Sequence, residues 1–188
     1  MPVFNSELIR ILERAEAWRR IGFMARCCNR AIPNYRIFSV ETGFGDVTVL
    51  ERSLNFVESW IHTGILPMEA QDLLGACDTA APHTEEHGSL YTSAALYAAN
   101  MMAITLETLT AGLEPDVIEV AQLAFDTVEM FTSTYLAADS YDVRIYLHPI
   151  MLAEDECQRN DTIELCHSEY ERSNFILGPA EGSVIFKA

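Results

Sequence analysis

Apolar positions along the chain recur mostly at helical spacing, and one stretch stands apart by being apolar on every side. From Ser89 to Thr110 (SLYTSAALYAANMMAITLETLT) the single formal charge is Glu107. A helix that is apolar all round has to be covered by protein or lipid. Crossing a bilayer takes about 20 predominantly apolar residues. Here Asn100, Glu107, serines and threonines interrupt the run, and no Lys or Arg flanks it to set a topology. The stretch, about residues 89–110, is therefore read as the central helix of a bundle, wrapped by the amphipathic segments on either side.

The wrapping segments follow in order. Asn5 or Ser6 caps a first helix with Leu8, Ile11, Leu12, Ala15 and Trp18 on its apolar side. The pattern shifts near Gly22, where a bend or break is expected, and Met24, Cys27, Cys28 and Ala31 form a second stripe. Pro33 fits the first turn of a further short helix, PNYRIFSVET, stopped by Gly43. Gly43, Phe44, Gly45 and Asp46 then read as a glycine C-cap, an aromatic plug and the N-cap of the next helix. That helix turns Leu50, Leu54, Val57 and Ile61 inward and Glu51, Asn55, Glu58 and His62 outward, and ends at Thr63 and Gly64. Pro67 opens another, with Leu73, Leu74 and Cys77 as its apolar side, closed by DTAAP.

Beyond the central stretch, Gly112 stops the chain and Pro115 restarts it. Val117, Ala121, Ala124, Val128, Phe131 and Tyr135 make the cleanest buried stripe in the sequence, with Glu119, Gln122, Asp126, Glu129 and Ser133 opposite. Residues 141–149 alternate with strand period, but no partner strand is evident, so they are expected to be irregular or a short helix. Pro149 opens a long polar helix expected to run to about Ser173. From about residue 175 an extended apolar tail, NFILGPAEGSVIF, is broken by Gly178, Pro179 and Gly182. Such a tail has to dock, and docking on a neighbouring subunit would give a homo-oligomer. The expectation is one all-α domain over residues 1–188, a multi-helix bundle that needs neither metal nor disulfide to bury a core.

Charge changes the picture. The net charge of −16 is segregated: residues 1–52 hold eight Arg and six acids, residues 53–143 hold fourteen acids and no Lys or Arg, and the rest hold four cations and eight acids. A one-sign middle repels nucleic acid and anionic membrane, so neither is an expected partner. It favours a protein partner with a basic surface. The uncompensated face of Glu119, Asp126 and Glu129 is the best candidate for such contact, although a plain solvated face is the simpler account of it. The first residues form a charged amphipathic segment with no apolar signal core, so a cytoplasmic location is expected.

Candidate chemistry is sparse. Cys27, Cys28, Cys77, Cys157 and Cys166 are odd in number and lack CxxC spacing, which fits reduced, mostly buried thiols. His83-Thr84-Glu85-Glu86-His87 matches the inverted zincin pattern HxxEH, but Pro82 and Gly88 bracket it and it has no apolar positions, which makes it a polar loop. Glu164 and His167 form one ExxH pair, whereas di-iron bundles use two such pairs and two further Glu. The glycine turn at Gly43–Gly45 could be taken for a phosphate cradle, yet Asp46 puts a negative charge where the anion would sit. Arg14, Arg19, Arg20, Arg26 and Arg30 could be taken for a phosphate-binding face; pairing with the chain's own acids is the better account. Trp18, Phe38 and Phe44 could line a pocket, and are more simply core. No catalytic, cofactor-binding or metal-ligating residue is assigned.

Trp18, FMARCCNR (Phe23 to Arg30), PNY (Pro33 to Tyr35), Phe38 and above all TGFGD (Thr42 to Asp46) resemble the YjaG-like family, small acidic bacterial proteins classed as a domain of unknown function. The likeness runs from about Trp18 to Trp60, with an echo in SVIF (Ser183 to Phe186). It implies an all-helical, cytoplasmic, single-domain protein and supplies no reaction, cofactor or catalytic residue. The functional expectation is a non-enzymatic protein-binding or regulatory module. The alternative is a metal-dependent hydrolase or oxidase with a carboxylate/His site inside the bundle, built on Glu164 and His167 or on His83 and His87.

Overall fold

The structure, a computed structural model, describes residues 6–66, 68–136 and 142–178. Among these residues the chain forms α1 (Ser6–Glu13), α2 (Ala17–Thr42), α3 (Val47–Thr63), α4 (Ala70–Ala80), α5 (Thr92–Ala111), α6 (Val117–Leu136), α7 (Val143–Tyr146), α8 (Pro149–Leu165) and a 3-10 turn at Arg172–Asn174, with no strand. The expected helical bundle is what is found. None of the described helices is long and apolar enough to cross a membrane.

Two helices share the centre. α5 is the apolar helix expected there, and its buried Ala95, Ala98 and Ala99 are small enough to admit close neighbours; it packs on α2, α3, α4 and α6. α2 is longer and packs on α1, α3, α5, α6 and α8. Ile21, Phe23, Met24, Cys27, Cys28, Ile32, Tyr35 and Phe38 of α2 are each at most 2% exposed. A smaller core of Phe125, Val128, Ile145, Ile150 and Met151 joins α6, α7 and α8. Ile145 is what pins α7, whose Asp142 caps it by accepting from Arg144 N, so the strand-like alternation of this segment resolves as a short helix.

Several boundaries fall elsewhere than the pattern indicated. The break expected near Gly22 lies at Arg14–Glu16, where Ala15 N donates to Leu12 O and the Glu16 carboxylate accepts from Trp18 Nε1 at 2.9 Å and Arg19 Nε at 3.3 Å. An anion at that position suits the start of α2, and these bonds, Trp18's first, hold the Glu16 carboxyl below its ordinary range. Pro33 does not start a helix but sits inside α2. An interior proline costs about 3 kcal/mol, but breaking the helix there would uncover Ile32, Tyr35 and Phe38, each worth about 1.5–3 kcal/mol buried. The opening at Pro67 lies outside the described residues; α4 begins at Ala70.

The polar helix expected to reach Ser173 ends at Leu165. Arg19 explains the stop: its guanidinium donates to the carbonyls of Leu165, His167 (3.1 Å) and Tyr170 (2.9 Å). Cations are favoured at helix C-termini, and here one takes carbonyls that a further turn would have used. The turn between α2 and α3 follows the expectation, with Gly43 left-handed (φ 69°) and the Asp46 side chain accepting from Thr48 N at 2.9 Å. Gly45 has two reasons to be glycine. Its φ is +73°, and a Cβ there would come within 2.1 Å of the Tyr35 hydroxyl, which donates to Ala80 O at 2.8 Å.

The described start of the tail, through Gly178, packs on its own chain. Phe175, 1% exposed, sits against Gly22 under the Arg26 guanidinium, 5.6 Å from the ring centroid, and beside His62. Asn29 Nδ2 donates to the carbonyls of Leu177 (3.4 Å) and Gly178 (3.1 Å), so an α2 side chain also holds the backbone of this segment. Residues 179–188 lie outside the described residues.

This docking generates a test. A Cβ on Gly22 would meet Phe175 Cε2 at 2.8 Å. Gly22→Ala gains about 1 kcal/mol of helix propensity and loses about 1–3 kcal/mol to overpacking, so its urea midpoint is expected to fall. The same change in a Phe175→Leu background is expected to be neutral or favourable. A Gly22→Ala protein more stable than the parent by the full propensity gain contradicts the packing.

Candidate functional site

The polar helix α8 turns Glu154, Gln158 and Thr162 into the bundle, each buried, alongside Ile150, Met151 and Leu165. Facing them are Arg26 and Arg30, one helical turn apart on α2. Arg30 binds Glu154 with two nitrogens, Nε to Oε2 at 3.2 Å and Nη2 to Oε1 at 3.0 Å, and reaches Asp161 Oδ2 with Nη1 at 2.5 Å. Arg26 Nη1 bridges Asp161 Oδ1 (3.0 Å) and Glu164 Oε2 (2.9 Å), while its Nε donates to Ile176 O and its Nη2 to Tyr170 Oη. Gln158 Nε2 completes the shell of Glu154 at 2.9 Å and ties it to Ala121 O of α6 at 3.1 Å.

Two guanidiniums therefore hold three carboxylates between α2 and α8. Burial opposes the charged form of Arg30, and Glu154 and Asp161 outweigh it, so its pKa is raised well above the ordinary value. Arg26 moves in the same direction, burial again opposing and Glu164 and Asp161 prevailing. Charges this well paired are positioned to hold helices together. Arg30 and Glu154 are spent on each other rather than held ready for a substrate.

The remaining arginine expectations resolve similarly. Arg20 pairs with Glu114 at 2.7 Å, and Arg19 caps α8 while lying 4.6 Å over the Trp18 ring. Arg172 does for α3 what Arg19 does for α8: it donates to the carbonyls of Ile61 and Trp60 and covers the Trp60 ring. Arg14 lines a shallow depression at the α1–α2 elbow with Ile11, Glu16 and Cys166. The five arginines do not converge as a phosphate-binding face.

The candidate metal ligands are dispersed. His83 is exposed in a turn closed by Glu86 N to His83 O, while the His87 ring packs on Phe38 (5.2 Å) and Phe44 (4.8 Å). His87 acts as a third aromatic in that corner. Glu164 is taken by Arg26, and His167 Nδ1 accepts from Glu169 N at 3.3 Å. Among the described residues no group of three or more His, Cys, Asp or Glu is arranged to hold a metal ion. Trp18 stacks with Tyr170 near the start of α2, and Phe38 meets Phe44 near its end, so they line no common pocket. The distance between them is about 30 Å at 1.5 Å per residue.

Cys27, Cys28 and Cys77 are buried beside Arg30, Thr105 and Ser53 respectively, and all five cysteines are free. Burial pushes each thiol up, Cys28 to about 12. These are packing thiols with little thiolate character.

What stays open is the acidic side. Among the described residues, ion pairs reach only two acids between residues 53 and 143, Glu114 from Arg20 and Asp142 from Arg144. Glu119, Asp126 and Glu129 lie along α6 with neutral partners where partners are found, Gln122 Nε2 on Asp126 (2.6 Å) and Tyr146 Oη on Glu129 (3.0 Å). Beside them a groove of about 390 Å³ runs between α6 and the turn that leads into α5. Sequence reading missed this groove. Met130, an apolar position outside the buried stripe of α6, is 42% exposed, and Leu90, expected inside the covered central helix, lies instead in the turn before α5 and is 74% exposed.

Comparison with known proteins adds a family. The model of DUF416, described as a protein of unknown function, matches residues 7–178, well beyond the Trp18–Trp60 stretch that carries the likeness by eye. The uncharacterised protein YjaG of Escherichia coli strain K12 is 25% identical over 148 residues, 78% of this chain and 76% of the relative. Its counterpart in Salmonella typhimurium strain LT2 matches over the same shares at the same identity. The crystal structure of a DUF416 family protein from Shewanella baltica OS155 superposes with a TM-score of 0.83 at 18% identity, covering 98% of this chain and 94% of that one.

Two measurements check the chemistry of the interior. Ellman's reagent at mildly alkaline pH is expected to reach only Cys157 and Cys166 in the folded protein, and all five thiols after unfolding; native-state reaction at Cys28 or Cys77 contradicts the burial. Cys28 and Tyr35 are both raised to about 12 from 9.0 and 10.0, each chiefly by burial. A folded pKa above the unfolded one gives stability that is complete below the unfolded value and is lost as pH rises toward the folded one. The urea midpoint is therefore expected to hold level up to about pH 9 and to fall between about 9 and 12. Tyr35→Phe removes part of that fall; an identical slope would count against Tyr35.

Proposed function

This chain belongs to the DUF416 family of proteins of unknown function, and on that premise we propose that it is a cytoplasmic helical binding module whose working surface is the acidic face carried by α4, α5 and α6, and whose partner is a protein with a basic surface. The observation that carries the reading is the separation of charge. Arg19, Arg20, Arg26, Arg30 and Arg172 are taken up by helix ends and by acids, most of them outside residues 53–143. The acids of that stretch therefore meet solvent with almost no internal cation.

A field of one sign steers association with an opposite field and speeds the encounter. It also stands against contact with nucleic acid, whose phosphates it repels. Five free cysteines fit a reducing compartment, which supports the cytoplasmic part of the reading. The metal-enzyme alternative draws no comparable support, because Glu164 and His167 serve different partners and His87 serves the aromatic corner.

The test pairs the native protein with Glu119→Gln/Asp126→Asn/Glu129→Gln, all on α6 and none in the core. Native bait is expected to retain a basic protein from cell extract, to release it as salt is raised, and to bind it again when both are purified. The triple variant is expected to bind at least about tenfold more weakly, the equivalent of 1.4 kcal/mol. A purified partner held equally by both proteins, or held independently of salt, defeats the reading.

A further inference from the structure

The groove between the turn at Ser89–Tyr91 and α6 has walls of two kinds. Leu90, Tyr91, Ala94, Met130 and Phe131 make it largely apolar, with Leu90 and Met130 open to solvent. Two of its hydroxyl donors are already committed, Thr127 Oγ1 to Leu123 O at 2.8 Å and Ser89 Oγ to Glu41 Oε2 at 2.6 Å. An anionic or strongly polar ligand finds little to bind there. At about 390 Å³ the space is at the small end of the roughly 300–1,000 Å³ of ligand pockets, room for one or two side chains.

The rim supplies the charge. Glu41 marks the Ser89 end. On α6, Asp126 lies next to the lining residue Thr127 and one turn before Met130, and Glu129 is adjacent to Met130; both act on the Tyr97 phenol, one turn along α5 from Ala94, which burial first, and then these two carboxylates, push up. No cation of the chain lies between residues 53 and 143 to offset them.

We propose that this groove docks an amphipathic basic helix of the partner protein, with an apolar side chain seated between Leu90 and Met130 and its Lys or Arg residues on Asp126, Glu129 and Glu41. The assignment rests on the acidic-face reading above and adds to it the place and shape of the contact. Helix-in-groove recognition uses an apolar anchor for affinity and flanking charges for choice of partner. Carboxylates around an apolar trough select for cations beside the anchor and against acidic or neutral helices.

The probe is a synthetic peptide of about four helical turns with Leu on one face and Lys on the other, compared with a scrambled peptide of the same composition. Amide shifts in nitrogen-15 spectra of the full chain are expected to concentrate at Leu90–Ala94 and Thr127–Thr134. Leu90→Asp and Met130→Arg, both at exposed positions and so tolerated by the fold, are each expected to weaken binding about tenfold or more. Asp126→Asn/Glu129→Gln is expected to weaken it several-fold and flatten its salt dependence. Equal binding of the scrambled peptide, shifts spread over the acidic surface, or unchanged affinity in both groove variants overturns the assignment. If the groove variants still bind the natural partner while the triple α6 variant does not, the groove fails and the acidic-face reading stands. If neither set loses the partner, both fail.

Discussion

The pairing of Arg26 and Arg30 with Glu154, Asp161 and Glu164 sets the terms for much of the structure. Desolvating a charge costs several kcal/mol, and the return comes only when partners meet in good geometry. With Arg30 contacting Glu154 and Asp161 at 2.5–3.2 Å, α8 has one acceptable register against α2. An apolar helix in its place could slide or turn at little cost. From that register follow the docking of Leu165 near Gly22, the capping of the α8 terminus by Arg19 and the strap through Phe175.

The same pairing organises the surface. Arginines drawn to α8 and to the ends of α3 and α8 are unavailable to the acids of α4, α5 and α6. The acids Glu154, Asp161 and Glu164 are thus neutralised within the fold, while those of residues 53–143 have few internal cations. The interior thiols and the His87 corner contribute packing.

The fold was legible where burial follows apolar periodicity. The run from Ser89 to Thr110 announces α5, and Gly43 to Asp46 marks a turn that the structure reproduces. It was not legible where polar residues are buried. Glu154, Gln158 and Thr162 look like solvent-facing positions, and only the match between their spacing and the Arg26–Arg30 step carries the information that they face inward. Local propensity makes Pro33 and Gly22 look like punctuation, yet burial on both sides of each keeps α2 whole. The groove depends on how two distant segments meet, which periodicity within either one does not express.

A double-mutant cycle at Arg30 and Glu154, read by urea unfolding, tests the central claim most directly. Arg30→Met leaves the buried Glu154 carboxylate without a cation and is expected to cost about 3–5 kcal/mol, whereas Glu154→Leu leaves Arg30 with Asp161 alone and is expected to cost less. The double variant, which removes both charges, is expected to recover much of that, for a coupling of about 2 kcal/mol or more, within the range seen for residues in one network. Additive losses, with a coupling below about 0.5 kcal/mol, would mean that the two groups act independently and that the α2–α8 pairing does not organise the structure.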